Sequence, residues 1–194
     1  VALMLQENGV ESGSDALPLD PDQLVALAPS WDTLGGGLSP GAVLPPWPTR
    51  SDPLAALAPV TDAMLASPPQ DDWLLWRRTY GATGFSPLEQ ITTENVTDLR
   101  VAWSWALPQG PNESTPIVHD GVLFVHGYGD RVQALDAATG DLLWQYTRRL
   151  PRDVAPSLKR GLSIYGTRLF VPTSDAHVVA LDAKTGDPIW DQPV

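Results

Sequence analysis

Ala134-Leu135-Asp136-Ala137-Ala138-Thr139-Gly140-Asp141-Leu142-Leu143-Trp144 returns 46 residues later as Ala180-Leu181-Asp182-Ala183-Lys184-Thr185-Gly186-Asp187-Pro188-Ile189-Trp190. Laid over each other without a gap, residues 116–144 and 162–190 agree at 12 of 29 positions, where unrelated segments would agree at about two. A gapless period in the forties belongs to a propeller blade or to a helical array. The local pattern decides between them. Val122-Leu123-Phe124-Val125, Val132-Gln133-Ala134-Leu135 and their counterparts after residue 168 are short, β-branched and aromatic. Asp120-Gly121, Thr139-Gly140 and Thr185-Gly186 lie between such runs, where hairpin turns need residues at positive φ. No stretch of twelve or more residues carries apolar spacing of three and four. Each unit therefore reads as about four antiparallel strands, one blade of a β-propeller.

The turn has its own chemistry. The Asp136 carboxylate is placed to accept backbone N–H groups of its turn, and Gly140 supplies the left-handed residue. Four residues on, Trp144 begins the outer strand. An indole repeated once per blade is expected to seat each blade against its neighbour.

Outward from the repeat, the composition is uneven. The chain has 194 residues, 20 prolines, no cysteine and a formal net charge of −11. Residues 1–72 hold ten acids and one base, Arg50, with eleven of the prolines. They include Gly35-Gly36-Gly37 and Pro45-Pro46-Trp47-Pro48. This reads as an acidic, proline-rich arm on a body formed by residues 73–194. Two short helical pieces are expected in the arm, at Asp20–Leu27 and at Thr61–Leu65, the second ending before Pro68-Pro69. Two readings of the arm stay open: a solvated acidic tail, or a strap laid over a larger body that buries Trp31, Trp47 and the scattered leucines.

Composition also excludes. Without cysteine there is no disulfide framework, iron–sulfur cluster, thiolate zinc site or c-type haem attachment. The acidic balance argues against nucleic acid and anionic membrane surfaces as partners. No apolar run reaches the roughly 18 residues of a membrane span. Gly35-Gly36-Gly37 has no Gly-Lys-Ser/Thr after it, and Gly127-Tyr128-Gly129 lacks a strand–helix setting, so neither is a nucleotide loop. His119, His126 and His177 are separated and read as structural.

The string ending at Trp190 resembles the tryptophan-docking motif of the quinoprotein dehydrogenases, eight-bladed propellers that use pyrroloquinoline quinone (PQQ). Tyr80-Gly81, Phe85-Ser86-Pro87-Leu88, Asn95-Val96 and Trp103 resemble the family's opening segment. Glu113-Ser114-Thr115-Pro116 with Asp120-Gly121 resembles its first full blade, and Lys159-Arg160-Gly161-Leu162 with Thr173-Ser174-Asp175 its second. The Arg160–Tyr165 stretch is closer to the alcohol-oxidising branch than to the membrane glucose-oxidising one.

The resemblance implies an all-β partial propeller: a lead-in strand around Leu99–Trp105 and two Trp-docked four-stranded blades. It implies oxidation of an alcohol by hydride transfer to PQQ. Three cofactor contacts carry over: Glu113, hydrogen-bonded to acid groups of the quinone; Arg160, paired with a PQQ carboxylate, for which its planar fork is suited; and Thr173, donating a hydroxyl. The residues alone leave other roles open. Glu113 can also be read as a loop acid, Arg160 as a surface neighbour of Lys159, Thr173 as an ordinary strand residue. Asp175 lies on the same rim.

The family's metal ligands for Ca²⁺ or a lanthanide, its catalytic aspartate and its stacking tryptophan follow the second blade. No catalytic residue and no metal ligand is therefore assigned in this chain. Many alcohol-oxidising relatives carry adjacent cysteines before the Arg-Gly-Leu; here Val154-Ala155-Pro156-Ser157 stands in that region. The resemblance further implies a periplasmic location, an alcohol substrate and a redox acceptor such as a cytochrome c. Two blades leave strand edges open, so the chain is expected to be stable only beside the remaining blades, on another chain or on further sequence. The competing reading is a cofactor-free propeller scaffold that binds proteins.

Overall fold

Both copies of the repeat fold into the same four-stranded antiparallel meander. The computed structural model describes residues 52–194. The first sheet contains β1 (Ile117–His119), β2 (Val122–Gly127), β3 (Arg131–Asp136) and β4 (Leu142–Thr147), paired in that order. The second contains β5 (Ser163–Tyr165), β6 (Arg168–Pro172), β7 (His177–Asp182) and β8 (Pro188–Pro193), again in order. The two sheets are not closed into a ring, as a partial propeller requires.

The strand connections follow from the turn residues. Asp120 and Gly121 have φ of 46° and 78° and join His119 to its partner Val122. Positive φ at both positions matches the right-handed twist of the flanking strands. Asp136 Oδ1 accepts from the backbone N–H of Ala138 at 2.8 Å and of Thr139 at 3.1 Å. Asp182 Oδ1 does the same with Lys184 and Thr185, at 2.8 and 3.1 Å. Gly140 and Gly186 close these turns at φ of 75° and 76°.

The shared residues also stack across each sheet. Phe124 lies opposite Ala134, and Ala134 opposite Trp144; Phe170, Ala180 and Trp190 repeat the row. The small middle residue lets the rings meet across it, with centroids 5.9 Å apart in both sheets. A register shift follows at Ala134/Leu135 and again at Ala180/Leu181.

One indole docks the first sheet against the turn of the second. Trp144 is buried, and its Nε1 donates to the Ala183 carbonyl at 3.0 Å. A Cβ on Gly186 would lie 2.5 Å from Trp144 Cε3. Glycine is thus needed there for its φ and for the space the indole occupies. The contact recurs one step earlier: Trp103 Nε1 donates to Ala137 O at 3.1 Å, and a Cβ on Gly140 would lie 2.6 Å from Trp103 Cδ2. The lead-in around Leu99–Trp105 has no ladder partner and forms no strand. Its indoles hold it instead, with Trp105 Nε1 donating to Gln133 Oε1 at 3.1 Å.

The described part of the arm is a strap across both sheets. Helix α1 (Pro53–Ala56) is capped by Asp52 and α2 (Asp62–Ala66) by Thr61, each side chain accepting a backbone N–H. The second helix lies where the sequence places it; the expected Asp20–Leu27 helix, Trp31 and Trp47 lie outside the described residues. Leu57, Val60 and Leu65 are buried with Ile117, Phe124 and Ile164. Val60 exchanges backbone hydrogen bonds with Gly166 in the second sheet, and Trp73 with Val118 in the first.

A buried histidine fastens this strap. His119 is fully buried, with Nδ1 2.8 Å from Asp72 Oδ2 and Nε2 2.9 Å from Ala58 O. Both partners only accept, so both ring nitrogens donate. Burial alone lowers the His119 pKa, but Asp72, the Ala58 carbonyl and Asp120 together raise it above the ordinary histidine value.

Two predictions follow from these contacts. Gly121 and Gly186 share a positive φ, but a Cβ at Gly121 meets nothing within 4 Å. In chemical denaturation Gly121→Ala is expected to cost about 1 kcal/mol, from backbone strain. Gly186→Ala is expected to cost about 3 kcal/mol, because the indole must also move. Because the folded pKa of His119 is raised, its stabilisation is complete below about pH 6.5 and is lost as pH rises through the folded value. The stability advantage of the native chain over His119→Gln, measured by denaturation at pH 6 and pH 9, is expected to be larger at pH 6.

Candidate cofactor site

The three residues singled out from sequence converge on one rim of the second sheet. Residues 112–115 run beside 159–161: Asn112 and Lys159 form a parallel bridge, and Thr115 N donates to Arg160 O at 3.0 Å. This pairing sets Glu113 next to Arg160, with Arg160 Nη2 3.5 Å from Glu113 Oε2. The Arg160 and Glu113 side chains are 79% and 57% exposed. An exposed pair at that separation contributes little stability, and the guanidinium keeps most of its donors for another group.

Thr173 immediately follows β6 and is buried. Its Oγ donates to Asp175 Oδ1 at 2.6 Å and accepts from His177 N at 3.2 Å. A groove of about 250 Å³ runs between segment 157–161 and Pro172–Thr173, with Arg160 on its lip.

Asp175 is committed to the seam between the sheets. Arg148, just past β4, grips it with Nε at 2.8 and 2.9 Å and Nη2 at 2.7 Å, and reaches Asp191 with Nη1 at 2.6 Å. Arg148 holds the Asp175 carboxyl down at about 2, against a weaker upward push from burial. His177 Nδ1 lies 2.6 Å from Asp191 Oδ1. A run of charged contacts thus crosses from the first sheet to the rim.

A buried ion pair missed in the sequence sits at the groove. Lys159, read only as a neighbour of Arg160, is buried and paired with the fully buried Asp130. No local pattern announces a pair that joins a turn of one sheet to the lead segment of the next. Gly127-Tyr128-Gly129 is explained by the same turn: Gly127 ends β2 opposite Arg131, and Gly129 has φ of 78°.

Among the described residues, Asp72, His119 and Asp120 form a cluster whose ligand-type atoms lie within 4.8 Å of one another. Both His119 nitrogens already donate to Asp72 and Ala58, so the cluster works as a clasp. Among the described residues no helix is long and apolar enough to cross a membrane.

Against known families, the glucose/ethanol/alcohol dehydrogenase PQQ β-propeller domain matches residues 73–191. The chain belongs to this family. It is 38% identical over 114 residues to the dehydrogenase subunit of the quinone alcohol dehydrogenase of Gluconobacter oxydans, covering 56% of this chain and 15% of that protein. The quinohemoprotein alcohol dehydrogenase of Comamonas testosteroni superposes with a TM-score of 0.65 at 31% identity, over 72% of this chain and 23% of that one. A europium-containing methanol dehydrogenase superposes with a TM-score of 0.62 at 30% identity, over 69% of this chain and 25% of that one. This PQQ-family chain thus spans a quarter or less of the relatives named here.

The rim suits a PQQ-like group. PQQ carries carboxylates, and Arg160 offers an exposed planar fork beside an open groove. Thr173 is fixed by two internal hydrogen bonds, so its first role is in the blade. Thr173→Val is expected to lower stability by about 1–2 kcal/mol in chemical denaturation, through loss of both bonds at a buried site.

Proposed function

We propose that this chain supplies two blades of a PQQ-dependent alcohol dehydrogenase and contributes Glu113, Arg160 and Thr173 to the quinone site. The carrying observation is the meeting of Arg160 and Glu113 at 3.5 Å, with Arg160 and Thr173 lining one groove. These residues come from different segments, and their joint placement beside open space is what a carboxylate-bearing ligand needs.

PQQ, when bound, supplies the oxidant that accepts a hydride from an alcohol. Arg160 binds and orients a carboxylate through a bidentate contact. Glu113 accepts from a ring N–H and fixes the turn of the guanidinium. Thr173, held by Asp175 and His177, presents a rigid wall and a hydroxyl oxygen. The catalytic base and the ligands for Ca²⁺ or a lanthanide belong to later blades, so this chain alone is inactive. On this reading residues 73–194 are the propeller part, residues 1–72 the acidic, proline-rich arm, and the enzyme is periplasmic, passing electrons to an acceptor such as a cytochrome c.

The remaining blades are the chief partner. Trp76, Tyr80, Phe85 and Val101 are 64%, 71%, 69% and 83% exposed, an apolar run suited to burial against further blades. Trp190, the counterpart of Trp144, is only half-buried.

The test uses the complete propeller carrying this chain, with PQQ and Ca²⁺ or a lanthanide. Arg160→Ala is expected to weaken PQQ binding at least about tenfold, or 1.4 kcal/mol, with stability unchanged at so exposed a position. Arg160→Lys is expected to recover only part, since it keeps charge and loses the fork. Dye-linked alcohol oxidation should fall with PQQ occupancy. A cofactor-free scaffold predicts no PQQ uptake under either metal and no effect of Arg160→Ala.

A further inference from the structure

Lys159 is a charge that the cofactor reading leaves unused. Its side chain is 5% exposed and that of Asp130 is 0% exposed. Burying such a pair is costly, and it persists only where other polar groups help to satisfy it. Here the ammonium has three oxygen neighbours. The ammonium contacts Asp130 Oδ1 and donates to Ser157 Oγ at 3.0 Å and Ser174 Oγ at 2.8 Å. Asp130 Oδ2 accepts from Ser174 N at 2.9 Å. Ser174 Oγ also accepts from Ser157 N at 2.9 Å. Burial pushes the Asp130 carboxyl up, but His126, Lys159 and Ser174 outweigh it and keep it well below the usual carboxylate range.

Two members of this cluster, Lys159 and Ser174, adjoin rim residues in the chain. Lys159 precedes Arg160, Ser174 follows Thr173, and Lys159 bridges Asn112, the neighbour of Glu113. On the far side of Arg160, the Gly161 carbonyl meets His126 Nδ1 at 3.3 Å, and His126 is fully buried. Arg160 O is itself held by Thr115 N. The Arg160 backbone is thus bracketed on both sides, and only its exposed guanidinium is free to adjust. The anchor comes from the other sheet: Asp130 sits in the β2–β3 turn at φ of 52°, and its carbonyl accepts from Arg148 N at 3.1 Å.

We propose that Lys159, anchored by Asp130 across the seam, is a positioning residue that sets where Arg160 and Thr173 face the quinone. This rests on the cofactor reading above. Carboxylate recognition by a fork depends on direction as well as charge, so a rim whose backbone can drift binds PQQ less tightly even when Arg160 is present. The Lys159 ammonium is spent on Asp130, Ser157 and Ser174, so its effect passes through its neighbours.

The experiment compares PQQ affinity, by fluorescence quenching, and urea midpoints in the complete propeller carrying this chain. Asp130→Asn with Lys159→Met removes both charges, so no unpaired ion is left buried. It is expected to keep a near-native midpoint, bind PQQ at least tenfold more weakly, and make a further Arg160→Ala change nearly silent. Ser174→Ala, which leaves the ion pair intact, is expected to weaken PQQ binding about three- to tenfold; it decides the matter if the double variant does not fold. Native PQQ affinity in either folded variant, with Arg160→Ala still damaging, overturns the positioning role and leaves the cofactor reading standing. Native affinity in Arg160→Ala itself removes the cofactor reading, and the positioning role with it.

Discussion

The indole of Trp144 lies where any side chain on residue 186 would have to be. Most of what this chain does depends on that placement. A buried tryptophan removes on the order of 200 Å² from water, roughly 5 kcal/mol before entropy is set against it. The Nε1 bond to Ala183 O fixes its rotation. Together they hold the first sheet against the turn of the second. With that relation set, Arg148 reaches Asp175 and Asp191, and Asp130 reaches Lys159 and Ser174. The seam is therefore also the frame of the candidate cofactor rim.

The strap of residues 52–74 covers a different side of the same pair of sheets. Its leucines and Val60 enter the shared core, and its backbone bonds reach both sheets. The His119 clasp ties it down with an ion that needs both its acceptors. Beyond the strap, Trp76, Tyr80 and Phe85 are exposed and Trp190 is half-buried. A two-sheet piece with one face strapped and another open suits a segment of a larger propeller.

The repeat made the blades legible because its signals are local. Asp136 and Gly140 act within their own turn, and Phe124, Ala134 and Trp144 meet through ladder register alone. The interlocking of Trp144 with Gly186 was half visible: the glycine was read for its φ, while its second role needed the neighbouring sheet. Glu113, Arg160 and Thr173 came from family resemblance, since exposed acids and bases carry no signal of their own. The Asp52-capped helix was missed because a single turn shows no periodicity. The lead-in was expected as a strand, yet its tryptophans anchor it without ladder bonds. Lys159 was missed, and His119 was read as structural without its partners, for one common reason. Their partners lie in distant segments, and burial of a charge is decided by what folds over it.

A crystal structure of the complete propeller carrying this chain, grown with PQQ, tests the account most directly. The account predicts a quinone in the groove beside segment 157–161, with one carboxylate about 3 Å from the Arg160 guanidinium. It also predicts the Trp190 indole against a glycine of the next blade. A quinone bound elsewhere with Arg160 still in solvent, or a propeller that closes without a cofactor, would contradict it.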